Sequence, residues 1–408
     1  MSKNHLVSLP TSIQKLNQLE DLDLSWNKLT ELPSEITDLK ELRTLDVSEN
    51  QLGGLPTSIL KLNQLEQLLL FCIKLTELPS EIGDLKELRR LNVSRNQLVS
   101  LPTGIQKLNQ LEELDLRDNK LTELPSEIGD FKELRRLHVS NNQLVSLPTS
   151  IQKLNQLEGL YLCDNKLTEL PSEIGDLKEL SRLYVSYNQL GSLPSSIQKL
   201  NQLERLHLED NKLKELPSEI GDLKELRRLD VRYNQLVRSP TSIQKLNQLE
   251  RLYLEGNKLA ELPSEIGDLK ELRRLNVRNN QLVSLPTSIQ KLNQLEELCL
   301  SGNKLAELPS EVGDLKKLRR LDVSNNQLVS LPSSIQKLNQ LEELHLSGNK
   351  LTELPSEIGD LKELGRLDVT GNPLSMDAIH VLEMKKKGMT SLVITGGCGD
   401  NFQLICHQ

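Results

Sequence analysis

The sequence contains few aromatic residues, since three Phe, five Tyr and one Trp make up only 2% of its 408 residues. A globular protein of this length would be expected to build two or three separate cores. Here a core must consist almost entirely of aliphatic side chains, because 37% of the residues are hydrophobic and so few of them carry rings. This shortage favours a simpler, repetitive interior over several large cores.

Long apolar runs and paired cysteines are also missing. The chain has no run of eighteen apolar residues and only five scattered cysteines, and no apolar core of a signal peptide follows Met1. A membrane-spanning helix needs about 20 apolar residues, and an odd, scattered cysteine set is typical of a reducing compartment. These absences predict a cytoplasmic protein without a membrane partner.

Several function classes lack the residues that they require. The net charge of −8 provides no basic stripe for nucleic acid. No phosphate-binding loop, nucleophile elbow or pair of catalytic carboxylates is present. Three histidines share a repeat position but lie at least three repeats apart, too far to share a metal ion. We therefore expect no catalytic residues, no cofactor and no metal.

What the sequence does contain is a strict period of 23 residues. From Asn27 to Asn372, fifteen of the sixteen positions at this spacing are Asn, and sixteen prolines from Pro10 to Pro355 keep the same spacing. Fixed self-similarity of this length is the signature of a solenoid, in which each unit buries its apolar face only against its neighbours. Two positions break the pattern, Ile73 in place of Asn and Ser239 in place of Leu. If the Asn amide satisfies a buried turn, Ile73 leaves polar groups unpaired, at about 1–3 kcal/mol.

Each unit reads Leu-x-x-Leu-x-Leu-x-x-Asn-x-Leu, as in Leu19, Leu22, Leu24, Asn27 and Leu29. The alternation around Leu22 and Leu24 predicts a short strand. The Asn amide can satisfy backbone groups where the chain leaves the strand. Leucine and isoleucine then recur every three residues, which predicts a short helical or 3₁₀ return. The returns alternate between two forms, so the repeats are duplicated in pairs of 46 residues.

This pattern resembles the leucine-rich-repeat family over residues 6 to 374. The resemblance implies an α/β solenoid, a right-handed horseshoe with parallel strands on the concave face and helical or 3₁₀ returns on the convex face. The Leu-Pro-x-x-Ile return is similar to the intracellular Ras-group type, which includes the Ras-pathway leucine-rich scaffold, Scribble and Erbin, plant Ras-group proteins and Roco arrays. That similarity implies a signalling scaffold whose partner is a Ras-type small GTPase or its effector. A sensor array of a larger receptor or Roco-type GTPase, or an extracellular recognition receptor, stays an alternative.

We divide the chain into three parts. Residues 1–18 form a partial first repeat without a cap, residues 19–372 form sixteen repeats, and residues 373–408 form a C-terminal cap. In the cap, Ser375 can begin a helix, and residues 391–395 can add a strand. Cys398 and Cys406 also lie in this segment, and the sequence leaves open whether they pair.

The strand positions vary while the returns are nearly invariant, so we expect function on the concave face. All five tyrosines occupy these positions, and arginine fills the first strand position of five successive repeats. Tyr and Arg are the residues that most often provide binding energy at protein interfaces. The predicted partner-binding residues are His138, Tyr161, Arg182, Tyr184, Tyr187, Arg205, His207, Arg228, Tyr233, Arg251, Tyr253 and Arg274.

Because Arg recognises carboxylates, the predicted partner of this monomeric chain is a protein with an acidic surface. The alternative is that Arg205 and Arg251 only pair with nearby acids of the chain itself. Those acids are Glu209, Asp210, Asp230 and Glu255. Exposed pairs of this kind would contribute little free energy.

Overall fold

A computed structural model describes residues 1–375 and, by their backbone alone, residues 391–395 and 403–404. The chain forms two compact units, Met1–Leu203 and Glu204–Gln408. Every repeat in both units consists of one three-residue strand and one short return, and no α-helix occurs among the described residues. The predicted solenoid of parallel strands is therefore confirmed within each unit, and the returns are 3₁₀ segments.

The strands of each unit pair in parallel and in register with the strand of the next repeat. In the first unit they are β1 (Asp21–Asp23), β2 (Thr44–Asp46), β3 (Gln67–Leu69), β4 (Arg90–Asn92), β5 (Glu113–Asp115), β6 (Arg136–His138), β7 (Gly159–Tyr161) and β8 (Arg182–Tyr184). In the second unit they are β9 (Arg205–His207), β10 (Arg228–Asp230), β11 (Arg251–Tyr253), β12 (Arg274–Asn276), β13 (Glu297–Cys299), β14 (Arg320–Asp322), β15 (Glu343–His345) and β16 (Arg366–Asp368).

Two further strands follow the repeats. Strand β17 (Ser391–Thr395) pairs in parallel with β16, and β18 (Gln403–Leu404) pairs antiparallel with β17. The helix predicted after Ser375 lies outside the described residues, as do Cys398 and Cys406. The boundaries of the three predicted parts stay a prediction.

All returns but η3 begin directly after a repeat proline, whose φ lies near −65°. Proline suits this place because its fixed φ matches a helical turn and the first N–H of a turn has no partner to lose. The first unit contains η1 (Thr11–Lys15), η2 (Ser34–Asp38), η3 (Ile59–Lys61), η4 (Ser80–Asp84), η5 (Thr103–Lys107), η6 (Ser126–Asp130), η7 (Thr149–Lys153), η8 (Ser172–Asp176) and η9 (Ser195–Lys199). The second contains η10 (Ser218–Asp222), η11 (Thr241–Lys245), η12 (Ser264–Asp268), η13 (Thr287–Lys291), η14 (Ser310–Asp314), η15 (Ser333–Lys337) and η16 (Ser356–Asp360).

The core between strands and returns is aliphatic, as the composition predicts. The central leucine of each strand is buried, with Leu160, Leu183 and Leu252 all at 0% exposure. Phe131 is the one aromatic ring among the fully buried side chains, at a position where other repeats have Leu. Since leucine and isoleucine supply nearly all the buried surface, each repeat gains its stability from the repeats on either side.

The repeat asparagine joins neighbouring repeats through its amide. Asn142 donates from Nδ2 to the carbonyl oxygens of Leu116 (2.9 Å) and Val139 (3.1 Å), and its Oδ1 accepts the Leu121 N–H at 3.0 Å. These backbone groups are buried at the turn that follows each strand, where they have no ladder partner. The predicted role of the asparagine in satisfying a buried turn is therefore confirmed.

Replacing Asn142 by Ala should lower the free energy of unfolding by about 1–3 kcal/mol, because buried backbone groups lose their hydrogen bonds. Urea unfolding followed by circular dichroism measures the change. Asn141→Gly is the matched control, since this exposed neighbour has a φ of +56° that glycine also adopts. It should change stability by no more than about 0.5 kcal/mol, and equal losses in the two variants would contradict this role for Asn142.

The two irregular repeats show what a broken pattern costs. Ile73 is fully buried. An asparagine at this position would accept the Leu52 N–H, but in the described part of the chain this N–H makes no hydrogen bond. Leu52 is half-buried, so water can pair with this group, and η3 is shortened to three residues in this region. In the second unit, Ser239 is buried and its hydroxyl has no partner within the described part of the chain.

The two forms of return pack closely against each other. A Cβ atom added to Gly175 in η8 would lie 2.3 Å from the carbonyl oxygen of Ser196 in η9, and Lys199 Nζ lies 3.4 Å from Asp176 Oδ1. Five other returns have a glycine in the same close approach, at 2.0–2.3 Å from the following return. Glycine in one form therefore leaves room for the backbone of the other, which explains the 46-residue pairing in the sequence.

Gly175→Ala should lower the free energy of unfolding by about 1–3 kcal/mol, because the added methyl group overlaps a carbonyl oxygen. Gly191→Ala is its control in the same unit, since a Cβ there meets no atom within 4 Å. Alanine at 191 should be neutral or stabilising by up to about 1 kcal/mol, as it restricts the unfolded chain. A stable Gly175→Ala protein in thermal unfolding would argue against close packing of paired returns.

Candidate partner-binding face

The side chains beside each buried strand leucine point away from the core, and we call the surface that they form the strand face. Ten of the twelve predicted binding residues lie on strands, and Tyr187 and Tyr233 lie three positions beyond β8 and β10. The first unit contains His138, Tyr161, Arg182, Tyr184 and Tyr187, and the other seven belong to the second unit.

In the first unit, aromatic rings form a ladder across three neighbouring strands. The rings of His138 and Tyr161 stack with centroids 4.1 Å apart and planes 5° from parallel, and Tyr184 meets Tyr161 edge to face at 5.1 Å. Contacts of this kind add about 0.5–1.5 kcal/mol and hold the rings in place. The ladder is therefore arranged before any partner arrives.

Gly159, which the sequence analysis did not single out, makes room for this ladder. It occupies the first position of β7, where an added Cβ would lie 2.8 Å from Tyr161 Cε2. The neighbouring strands have Arg136 and Arg182 at the same position. A glycine at a strand position where the neighbouring repeats have arginine, two residues before a tyrosine, was the signal in the sequence that could have identified Gly159.

The ladder residues occupy a position that elsewhere stabilises the turn. Wherever the third strand residue is Asp or Asn, its side-chain oxygen accepts the N–H two residues later, at 2.8–3.4 Å. Tyrosine cannot make this bond, because its only polar atom lies at the far end of the ring. Tyr161, Tyr184 and Tyr253 thus replace a side chain that supports the fold.

Tyr187 and Tyr233 occupy a second unfavourable position. The residue before the repeat asparagine has a positive φ, and ten repeats place Gly, Asn or Asp there, as at Gly256, Asn141 and Asp164. Four repeats in the first unit have a larger side chain at this position, namely Trp26, Glu49, Cys72 and Arg95. Tyr187 and Tyr233 have φ of +57° and +52°. For a residue with a side chain this left-handed conformation costs about 1–2 kcal/mol. Both tyrosines remain 46% exposed.

In the second unit, four arginines form a column in neighbouring strands. Arg205, Arg228, Arg251 and Arg274 are in register on β9 to β12. Arg228 lies 3.5 Å from the buried Asp230 carboxylate, and Arg274 lies 3.2 Å from Glu297. Among the described residues, no ion pair within 4 Å involves Arg205 or Arg251.

Three of the four nearby acids, Glu209, Asp230 and Glu255, are engaged by other side chains. Arg232 holds Asp230 at 2.8 Å and Glu209 at 2.9 Å, and this hydrogen bond to Asp230 raises the pKa of the Arg232 guanidinium. Glu255 accepts hydrogen bonds from Tyr233 Oη (3.0 Å) and Asn276 Nδ2 (2.9 Å), and the first of these raises the pKa of Tyr233. The structure therefore does not contain the alternative arrangement, in which Arg205 and Arg251 pair with these acids.

Arg232 is a residue of the strand face that sequence reasoning missed. Besides holding Asp230 and Glu209, it lies over the ring of Tyr253 with its Cζ 5.6 Å from the ring centroid, and Arg228 lies over the same ring at 5.0 Å. Arg117 holds the buried Asp115 in the same way in the first unit, at 2.6 Å. Both arginines replace the serine common at this position, which was a visible signal in the sequence.

His207 lies on β9 in a partly buried, positively charged setting. Burial, reinforced by Arg228, lowers the pKa of His207 to about 4. Burial also lowers the pKa of His138. Both imidazoles are therefore neutral at physiological pH, and neither adds a positive charge to the strand face.

The depressed pKa of His207 makes stability depend on pH. Below pH 6.5 the His207 imidazole of the unfolded chain becomes protonated, whereas that of the folded chain stays neutral until about pH 4. Stability should thus be complete above pH 6.5 and fall between pH 6.5 and 4. Between pH 7.5 and 5 the wild type should lose about 1–2 kcal/mol more than a His207→Gln variant in urea unfolding. Identical losses in both proteins would contradict the low pKa.

The described residues offer little for other chemistry. Cys72, Cys163 and Cys299 are free thiols, and burial raises the pKa of Cys163 and Cys299, which disfavours the reactive thiolate. No group of three metal-binding side chains occurs in the part of the chain that the structure describes. Within the same residues, no helix has the length and apolar character needed to cross a membrane.

Family models match the chain along most of its length. A model described as leucine-rich repeat region matches residues 2–95, 80–165 and 297–386. Two further leucine-rich-repeat models match residues 201–259 and 248–305, and residues 179–200. No curated protein matches the chain.

Solved structures show the same architecture. A leucine-rich-repeat protein of Leptospira interrogans is 38% identical with a TM-score of 0.88, over 95% of this chain and 99% of that one. A plant peptide hormone receptor in complex with RGF2 is 29% identical with a TM-score of 0.69, over 97% and 77% of the two chains. The Arabidopsis receptor kinase HAESA, in complex with the peptide hormone IDA and the co-receptor SERK1, is 28% identical with a TM-score of 0.68, over 97% and 74%.

Proposed function

Because the chain belongs to the leucine-rich-repeat family, whose repeats typically form non-enzymatic binding surfaces, we propose that its strand face binds a protein or peptide partner. The observation that carries this proposal is the placement of the tyrosines. Each of the five occupies either a position where Asp or Asn would support the turn or a position where Gly, Asn or Asp would relieve strain.

These placements work against stability, which is why they point to binding. The array contains better residues for the same positions, such as Asp115 and Asn141. Proteins retain strained or destabilising residues where function requires them. Tyrosine gives a large contact area with few rotatable bonds, and it is enriched where binding energy concentrates. The first unit's ladder of His138, Tyr161 and Tyr184 is accordingly proposed as the aromatic part of the binding face.

The arginine column of the second unit supports an acidic partner. Within the part of the chain that the structure describes, Arg205 and Arg251 have no carboxylate within 4 Å, whereas Glu209, Asp230 and Glu255 are held by Arg232, Tyr233 and Asn276. A guanidinium without a counterion attracts carboxylates and steers their approach. The proposed partner therefore presents acidic groups to β9–β12.

We further propose that the protein acts as a cytoplasmic, monomeric scaffold in signalling, without turnover of its own, and that a Ras-type GTPase or effector is its partner. The Leu-Pro-x-x-Ile return with its 23-residue period and the free thiols Cys72, Cys163 and Cys299 support this assignment. Catalysis would need a base or nucleophile held by an orienting partner.

A second candidate is the recognition array of a receptor. It is favoured by the likeness to the plant receptors, whose structures contain bound peptide hormones. The two candidates differ in location, so cell fractionation with an antibody against this chain separates them. Recovery with cytosolic proteins supports the scaffold, and recovery on intact cells by surface labelling supports the receptor.

The binding face is tested by restoring the residues that the array prefers. In a Tyr161→Asp, Tyr187→Asn double variant the turn bond returns and the strain falls, so stability should stay within about 1 kcal/mol of wild type. Affinity for a partner captured by the wild-type chain should fall by about tenfold to a hundredfold for the loss of hot-spot rings. Isothermal titration calorimetry and urea unfolding measure the two quantities.

The control is Lys178→Glu in the segment after η8, away from the strand face, where the ammonium contacts the Gly175 carbonyl at 3.0 Å. This charge reversal should leave affinity unchanged. If the control variant loses the partner while the double variant keeps full affinity, the binding face has been placed on the wrong side of the repeats.

A further inference from the structure

We propose that the arginine column of the second unit binds an extended acidic peptide segment whose two carboxylates are three residues apart. Arg205 holds one carboxylate and Arg251 holds the other. This inference rests on the proposed function, since it names the chemistry that the partner presents to the strand face. It assigns to two of the arginines a role that the others in the column do not share.

The ion pairs of the column separate its four arginines into two kinds. Arg228 is paired with Asp230 and Arg274 with Glu297, whereas Arg205 and Arg251 have no carboxylate within 4 Å among the described residues. Arg251 is half-buried and lies in register between Arg228 and Arg274. A partly desolvated guanidinium flanked by two like charges is stabilised when an external carboxylate binds it.

The carboxylates of the chain itself are held away from these two arginines. Both oxygens of Asp230 contact Arg232, at 2.8 Å each, and Asp230 is only 1% exposed. Glu255 uses one oxygen for Tyr233 and the other for Asn276. Moving either acid to Arg251 would break at least two hydrogen bonds, so Arg251 stays without a carboxylate from these two acids until a ligand arrives.

The distance between the two free arginines sets the spacing of the ligand. Arg205 and Arg251 occupy the same position on strands separated by β10, and neighbouring strands lie about 4.8 Å apart, so they are about 10 Å apart. A polyproline II segment rises about 3.1 Å per residue with three residues per turn. Its residues i and i+3 therefore lie on one side, about 9 Å apart, whereas the i, i+2 and i, i+4 pairs point in different directions.

The surface next to the column leaves space for such a segment. A recess of about 180 Å³ lies beside Arg274 and is lined by Tyr253, Asn276, Arg278 and Cys299 among others. A peptide that crosses β9 to β11 can continue into this recess. The arrangement matches a linear ligand that runs across the strands rather than a single small anion.

The test uses synthetic proline-rich peptides in which two glutamates are placed at i, i+2, at i, i+3 or at i, i+4, together with glutamine versions of each. Fluorescence anisotropy with the full chain at low salt gives the dissociation constants. The i, i+3 peptide should bind about tenfold more tightly than the other spacings and than its glutamine version, which corresponds to about 1.4 kcal/mol. Equal binding of all three spacings would show attraction of charge alone and overturn the proposal.

The variants Arg205→Gln and Arg251→Gln should each weaken the i, i+3 peptide by about fivefold or more, and the double variant should abolish its preference over other spacings. The matched control is Arg274→Gln, which removes an arginine of the same column that already pairs with Glu297, and its effect should be smaller. If Arg251→Gln lowers stability, Arg251→Lys keeps the charge and should still lose the preference, because lysine does not bind a carboxylate through two parallel bonds.

Three further outcomes test this inference, and the last two separate it from the proposed function. If inorganic phosphate competes at the concentration at which acetate fails, the column is a phosphate site and the dicarboxylate assignment is wrong. If the peptides do not distinguish spacing but the Tyr161→Asp, Tyr187→Asn variant still loses its captured partner, the binding face stands and this inference fails. If the i, i+3 preference holds while the tyrosine variant keeps its partner, the arginine assignment stands without the aromatic one.

Discussion

The structure depends on the hydrogen bonds of the repeat asparagine. Leucine burial supplies the free energy of folding, but a stack of leucines is possible only if every turn that ends a strand has its backbone groups satisfied. Asn142 illustrates how one amide does this for two repeats at once, through Leu116, Val139 and Leu121. Where Ile73 replaces the asparagine, return η3 is only three residues long, and strand β3 still pairs with both of its neighbours.

Within this framework, the returns and the strand face follow different constraints. The returns repeat almost without change because glycines such as Gly175 must let the next return approach to within contact of its backbone. The strand face has no such constraint, since its side chains point away from the leucines. Its most common acids, such as Asp115 and Asp230, nevertheless support the turns, so a carboxylate on this face is by itself no sign of binding. The tyrosines that stand in their place make no such turn bond.

The charged side chains of the second unit likewise divide into those that support the fold and those that have no partner within the described residues. Arg232 and Arg228 share Asp230, and Arg232 also takes Glu209, which makes these residues part of an internal network. Arg251 lies between Arg228 and Arg274, and no carboxylate of the described residues comes within 4 Å of it. Which arginine is available to a partner is therefore decided by how the nearby acids are engaged, and not by the number of positive charges in the column.

The sequence by itself determined the strands, the 3₁₀ or helical returns, the core leucines and the role of the asparagine, because each depends on contacts that recur every 23 residues. It also placed the tyrosines and arginines on the strand face through the alternation of strand side chains. Only the tertiary structure decided which of these side chains are free. The role of Arg232 depends on an acid in the adjacent repeat, that of Gly159 on the nearby Tyr161 ring, and that of Tyr187 and Tyr233 on backbone conformation. A periodic pattern does not specify these features, because several acids and arginines lie within reach of one another and the sequence does not say which of them pair.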